Sequence, residues 1–194
     1  MLRVGITGGM GCGKSTMAHI FSVLGIPVYK ADERAKAISA QAETKAGIAR
    51  LFGAEAASDK SKLAAIVFSD ARQLAKLNAL IHPSVVKDME NWFKALENSP
   101  EPPPYALVET AILFESGMEN HFDCVINVNA PVQEQIARCM ARDHCTEEEV
   151  RLRLARQFPA EKRQERSRFT IQNACGRPVL RDVLAIDGIL RQEA

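Results

Sequence analysis

The chain has 194 residues, with 25 Lys and Arg against 24 Asp and Glu. This length suits one sizeable core with room for an inserted subdomain, and the near-neutral charge gives no global case for nucleic acid or a membrane surface. No apolar run approaches the roughly 20 residues that cross a bilayer. The five cysteines, Cys12, Cys124, Cys139, Cys145 and Cys175, form no C-x-x-C pair, are odd in number and follow no secretory leader, which predicts a reducing, cytoplasmic setting.

Residues 2–7 read as a short buried strand, and residues 17–21 begin a helical pattern. Between them, Gly8-Gly9-Met10-Gly11-Cys12-Gly13-Lys14-Ser15, followed by Thr16, satisfies G-x-x-x-x-G-K-[ST] at every fixed position. Glycines allow successive backbone N–H groups to face inward as a nest, and the helix N-terminus adds partial positive charge, so polyphosphate is the natural guest. Lys14 is expected to reach the β- and γ-phosphates, and the Ser15 hydroxyl to be a ligand of the Mg²⁺ that accompanies the nucleotide. Cys12 sits at a variable position of the loop and reads as a small tolerated side chain.

The first helix is expected to stop near Leu24-Gly25, where glycine terminates and Pro27 blocks continuation. Residues 27–29 form a second, very short strand that delivers Lys30-Ala31-Asp32 to a loop on the phosphate-loop side of the sheet, because parallel strands place their C-terminal ends together. Asp32 is therefore either a catalytic carboxylate that orients the acceptor hydroxyl and takes its proton, or an N-cap of the helix that follows. Residues 33–99 are largely helical in pattern. Gly53 looks like a stop, and a polar turn around Ser69-Asp70 separates two further helices. Pro83 suits the first turn of another helix carrying Val85, Val86, Met89, Trp92, Phe93 and Leu96. His82 beside that start is either a contact for an anionic substrate or a capping, half-buried residue.

The proline-rich residues 100–104 form a stiff connector to a strand ending at Glu109. At that strand end Glu109 is placed to hold Mg²⁺ through a water or to position the acceptor, the alternative being a solvated strand end. Glu115 reads as a polar support in the next turn. Residues 124–128 form another strand, and Asn129-Ala130-Pro131 opens a long helix on which Arg138 and Arg142, four apart, share a face. A second helix starts at Thr146-Glu147-Glu148-Glu149, a capping-box pattern, and carries Arg151, Arg153 and Arg156. With Lys162, Arg163, Arg166 and Arg168 beyond it, this stretch is either an arginine-bearing lid over triphosphate or a solvated helix pair with internal ion pairs such as Glu134 with Arg138. Residues 169–173 and 183–186 read as short extended segments. About five strands alternating with helices predict a parallel sheet covered on both faces, an α/β fold of the P-loop kind.

The order of these motifs resembles the dephospho-CoA kinase family, the P-loop enzymes that complete coenzyme A synthesis. The resemblance is carried by Thr7 to Thr16, Asp32, Leu77-Asn78-Ala79-Leu80-Ile81-His82-Pro83, Ile112-Leu113-Phe114-Glu115, Gln135-Ile136-Ala137-Arg138, Arg142-Asp143, Gln157 and Ile171-Gln172-Asn173. It implies a single domain with a nucleotide core (1–32, 100–136 and 167–194), a helical coenzyme-A-binding region (33–99) and a lid (137–166). It also implies ATP-dependent phosphorylation of the ribose 3′-hydroxyl of dephospho-coenzyme A, with no nucleic acid, membrane or obligate protein partner. Residue by residue, Gly8, Gly9, Gly11, Cys12, Gly13, Lys14, Ser15 and Thr16 bind ATP, Asp32 is the base or hydroxyl-orienting group, Arg138 or Arg142 faces the phosphates, and Asn78 and His82 belong to the acceptor side. Three departures stand out. Lys30 takes the first place of a usual Asp-x-Asp. Glu109 and Ala111 stand where Asp often precedes a Pro-Leu-Leu turn. Ser167-Arg168 replaces an Ala-Asp pair, with the following glycine displaced to Gly176. Two alternatives stand beside this reading: another small-molecule or nucleotide P-loop kinase, which keeps the phosphate loop, Asp32 and lid but changes the acceptor, and a transfer-inactive nucleotide switch, which Lys30, Glu109 and Arg168 motivate.

Overall fold

The computed structural model describes every residue from Met1 to Ala194 except for the side chains of Phe68 and Ala71. The chain divides into two compact units, one of Met1–Lys30 with Ala95–Ala194 and the other of Ala31–Lys94.

The first unit is built on five parallel strands, β1 (Leu2–Gly8), β2 (Val28–Lys30), β3 (Tyr105–Glu109), β4 (Cys124–Asn129) and β5 (Phe169–Gln172), in the order β2-β3-β1-β4-β5. β1 is central: Val4 lies opposite Leu107 on one side and Cys124 on the other. Its unbroken burial from Val4 to Gly8 is that of a parallel strand covered on both faces. Val4 and Ile6 pack with Phe21, Leu107, Ile126 and Ile171 in one core, joined by residues of α1 (Lys14–Val23) and of the C-terminal helix. Leu113, Phe114 and Val125 form a second cluster, with Phe122 and Phe158 against it.

Two expectations about this unit change. Residues 183–186 are not a strand. They lie inside a helix, Val179–Gln192, whose buried residues Val183, Ile186, Asp187 and Leu190 follow helical spacing. The run Val-Leu-Ala-Ile is apolar throughout, but only the period extended to Leu190 distinguishes helix from strand. Nor does β2 lead into a loop. A helix, α2 (Ala31–Ser39), starts directly after Lys30, and Asp32 sits inside its first turn rather than at an N-cap.

The second unit is helical: α2, α3 (Ala42–Phe52), α4 (Ala54–Ser58), α5 (Lys60–Ser69) and most of α6 (Ala71–Glu97). Gly53 ends α3 with φ of 92°, and Asp59 caps α5 by accepting from the backbone N–H groups of Ser61 and Lys62. Arg34 and Asp88 form a two-pronged ion pair at 2.8 and 2.6 Å. The third correction falls here: Pro83 does not open a helix but lies within the 27-residue α6. The amphipathic repeat on either side, with Ile81, Val85, Met89 and Phe93 buried, sustains the helix through the proline, at the loss of one backbone hydrogen bond.

The remaining helices belong to the first unit. They are α7 (Val132–Asp143), α8 (Glu147–Ala155), α9 (Ala160–Glu165) and α10, the helix Val179–Gln192. Thr146 and Glu149 make the expected reciprocal capping box on α8. Among the described residues no helix is long and apolar enough to cross a membrane.

Candidate active site

The loop between β1 and α1 has the conformation its sequence demands. Gly11 and Gly13 take φ of +75° and +88°, where a side chain is strained. Gly13 stands as the N-cap of α1 without any side-chain cap, so the first N–H groups of that helix remain directed at whatever enters the loop. Behind the loop, Cys12 is fully enclosed in the core and burial pushes its thiol pKa up. This is the environment of an inert packing residue rather than a reactive thiolate. All five cysteines are free.

Lys14, Ser15 and Glu109 converge. The Lys14 ammonium donates to Glu109 Oε1 at 3.0 Å, and the Ser15 hydroxyl donates to the same oxygen at 2.5 Å. Glu109 closes β3, opposite Ile6 of β1 and Lys30 of β2, and is only 6% exposed. It is therefore not a solvated strand end. A hydroxyl, a carboxylate and an ammonium within one hydrogen-bond network at a helix N-terminus suit a Mg²⁺ that arrives with nucleotide phosphates, since that ion asks for only one or two protein oxygens.

Arg138 reaches the loop from α7. Its guanidinium donates to the carbonyl of Gly11 at 3.3 Å and to that of Asn173 at 3.1 Å, and is held by Glu134 at 2.6 Å. The ion pair and the approach to the phosphate loop thus coexist. Asn173, just beyond β5, donates through Nδ2 to the Cys12 carbonyl at 2.8 Å. Arg142 does not join them. It forms a fork with Asp143 at 2.7 and 2.9 Å, with a largely exposed side chain, and this partner raises its pKa.

Asp32, Asn78 and His82 belong to the helical unit. Asp32 is exposed, two residues beyond Lys30, whose Cα is paired with that of Glu109. Asn78 and His82 are half-buried on α6 and share a helix face; burial lowers the His82 pKa, favouring the neutral imidazole. The region read as a lid is fastened along its C-terminal part. Glu115 accepts from the Phe158 N–H at 2.9 Å, and Arg166 pairs with Glu119 while lying over the Phe114 ring at 4.9 Å. Sequence reasoning gave Gln157 and Asn173 no role, yet both bond to the phosphate loop. No local pattern signals this, because their partners lie 147 and 161 positions away.

A glycine-rich loop after the central strand of a five-stranded parallel sheet, ending in Lys14 and Ser15 on a helix N-terminus, defines a P-loop nucleotide-binding protein of the kinase kind. The dephospho-CoA kinase family model matches residues 2–178. The dephospho-CoA kinase of Bacteroides fragilis is 32% identical over 197 residues, covering 99% of this chain and 94% of the relative; that of Chlorobaculum tepidum is 38% identical over 182, covering 89% and 86%. The crystal structure of TT1252 from Thermus thermophilus superposes with a TM-score of 0.81 at 31% identity, covering 100% of this chain and 98% of the other. The fold extends to shikimate kinase from Aquifex aeolicus, with a TM-score of 0.53 at 16% identity, covering 99% and 96%. The chain belongs to the dephospho-CoA kinase family.

Proposed function

We propose that this chain transfers the γ-phosphoryl group of ATP to the ribose 3′-hydroxyl of dephospho-coenzyme A, giving coenzyme A and ADP in the cytoplasm. The observation that carries the reading is the convergence of Lys14, Ser15 and Glu109 at the phosphate loop in a chain matched by the family along most of its length. Transfer of this kind is achieved by positioning and electrostatics rather than covalent catalysis. Lys14 exchanges Glu109 for phosphate oxygens when nucleotide enters, and Ser15 is the hydroxyl that would hold the cation. A Mg²⁺ held there would supply charge neutralisation to the transferring phosphate. Glu109, released from Lys14, would help hold that cation through a water. Arg138, already on the Gly11 carbonyl, is the lid-side arginine assigned to the phosphates in preference to Arg142. Asp32 orients the acceptor hydroxyl and takes its proton, and Asn78 and His82 contact the acceptor.

The test is coenzyme A formation from ATP, Mg²⁺ and dephospho-coenzyme A by wild type and Asp32→Asn. Wild type should turn over, and the variant should lose about 10²- to 10⁴-fold in kcat, the usual worth of a general base, while still binding ADP. Equal turnover would remove Asp32 from the chemistry; no product from folded, ADP-binding wild type would remove the assigned acceptor.

A further inference from the structure

The phosphate loop is fastened by a side chain that approaches from the arginine-rich region. The N–H of Met10 donates to Gln157 Oε1 at 2.9 Å. The carbonyl at the other end of the same peptide unit, that of Gly9, accepts from the Cys12 N–H at 3.2 Å. A peptide plane bonded at both ends cannot flip without losing both bonds, and its direction sets where the N–H groups that follow will point.

Gln157 is itself held. Its own N–H donates to the Leu154 carbonyl at 3.1 Å, the Phe158 N–H is bound by Glu115, and the Phe158 carbonyl accepts from Arg163 Nη1. Arg163 is buried, and burial depresses its pKa. The same guanidinium closes on the loop: a Cβ on Gly9 would stand 3.0 Å from Arg163 Nη2, 2.9 Å from Gln135 Oε1 and 3.6 Å from Gln157 Oε1. A side chain at this position would have to push the Gln135 and Arg163 ends aside, whereas Gln157 would stay at ordinary contact distance.

We propose that Gln157 is a positioning residue for phosphoryl transfer. It locks the Gly9–Met10 peptide so that the loop's remaining N–H groups converge on the polyphosphate, and Arg163 holds the turn that presents it. The inference rests on the kinase reading, but one of its measurements needs no turnover. Gln157→Met keeps the length of the side chain and removes the acceptor, whereas Gln157→Glu retains an oxygen at the same reach. The experiment compares wild type and both variants for kcat, ADP affinity and hydrogen exchange at the Met10 amide.

In Gln157→Met, kcat should fall about tenfold, the rate equivalent of one lost hydrogen bond, ADP affinity should stay within about threefold, and Met10 exchange should quicken about tenfold. Gln157→Glu should restore the protection of Met10. Unchanged kcat or unchanged Met10 exchange in Gln157→Met overturns the proposal. So does a loss of kcat that merely tracks lost ADP affinity, which would make the contact structural. Tighter ADP binding with kcat retained also overturns it, because Gln157 would then be a placeholder that nucleotide displaces. Wild type without any turnover defeats the kinase reading, and Met10 protection still decides whether Gln157 locks the peptide.

Discussion

Lys14 and Glu109 are each nearly enclosed, with side-chain exposures of 11% and 7%, and each stabilises a charge that would otherwise be costly to bury. That mutual dependence gives the loop a charge-balanced resting arrangement, and it lets an incoming phosphate replace the carboxylate as partner of the ammonium. Lys14→Ala should lower kcat/KM by about 10³-fold or more, as expected when a preorganised positive charge at the transferring group is removed. Circular dichroism should show the fold retained at a lowered unfolding midpoint, because only the Ser15 hydroxyl is left on the enclosed Glu109 carboxylate; full turnover in a folded variant would show that this loop is not the ATP site. The loop itself was legible in the sequence because each of its positions answers a separate chemical demand that no neighbour can meet. Gln157 and Arg163 were not, since a glutamine in the turn between α8 and α9 and an arginine on α9 acquire a role only from what the fold sets beside them. Arg138 and Arg142 show the same limit: spacing puts both on one helix face, and only tertiary contacts distinguish the arginine on Gly11 from the one on Asp143.

Among the elements, the apolar runs at the head of the chain, at residues 105–109 and at 124–128 were read as the strands they are, while the last apolar run and one proline misled. The stop at Gly53 and the capping box at Thr146 depend on residues within a turn of one another, so their signals are complete in the sequence. Residues 183–186 are four apolar positions in a row, a pattern a buried strand and a buried helix share. Pro83 misled in the opposite way: proline is a sound boundary signal, but α6 continues across it because its apolar stripe is buried on both sides. The cost of that continuation is measurable. Pro83→Ala restores a backbone donor and should stabilise the protein by about 1–3 kcal/mol, up to the full helix-interior difference between the two residues. Thermal unfolding would read this as a raised midpoint, and a lowered midpoint would mean that the proline ring is packed too well to be replaced.

At the scale of the molecule, the fold was legible because the alternation of strand and helix survives the misreading of any one segment. What the sequence did not reveal is how the C-terminal helix is tied to the sheet. The Tyr105 hydroxyl donates to Asp187 Oδ1 at 2.7 Å, and Arg191 joins Asp187 to the Leu24 carbonyl. Burial, and then the bond to Asp187, raise the Tyr105 pKa above the value of about 10 that applies to the unfolded chain. The unfolded state therefore releases this proton first, so stability is intact below about pH 10 and falls as pH rises beyond it. Denaturant titrations from pH 8 to 11 should show that decline in wild type and a flatter profile in Tyr105→Phe; parallel profiles would place the alkaline weakness elsewhere.

The central place of β1 has a consequence for how the protein is made. This strand leaves the ribosome before the other strands of the sheet, yet its two neighbours are Tyr105–Glu109 and Cys124–Asn129, with the whole helical unit translated in between β1 and either neighbour. At about 5–20 residues per second, β1 waits roughly 5–20 s with both edges bare and a few seconds more with one, so chaperone capture of the nascent chain should centre on β1 and end once β4 has emerged.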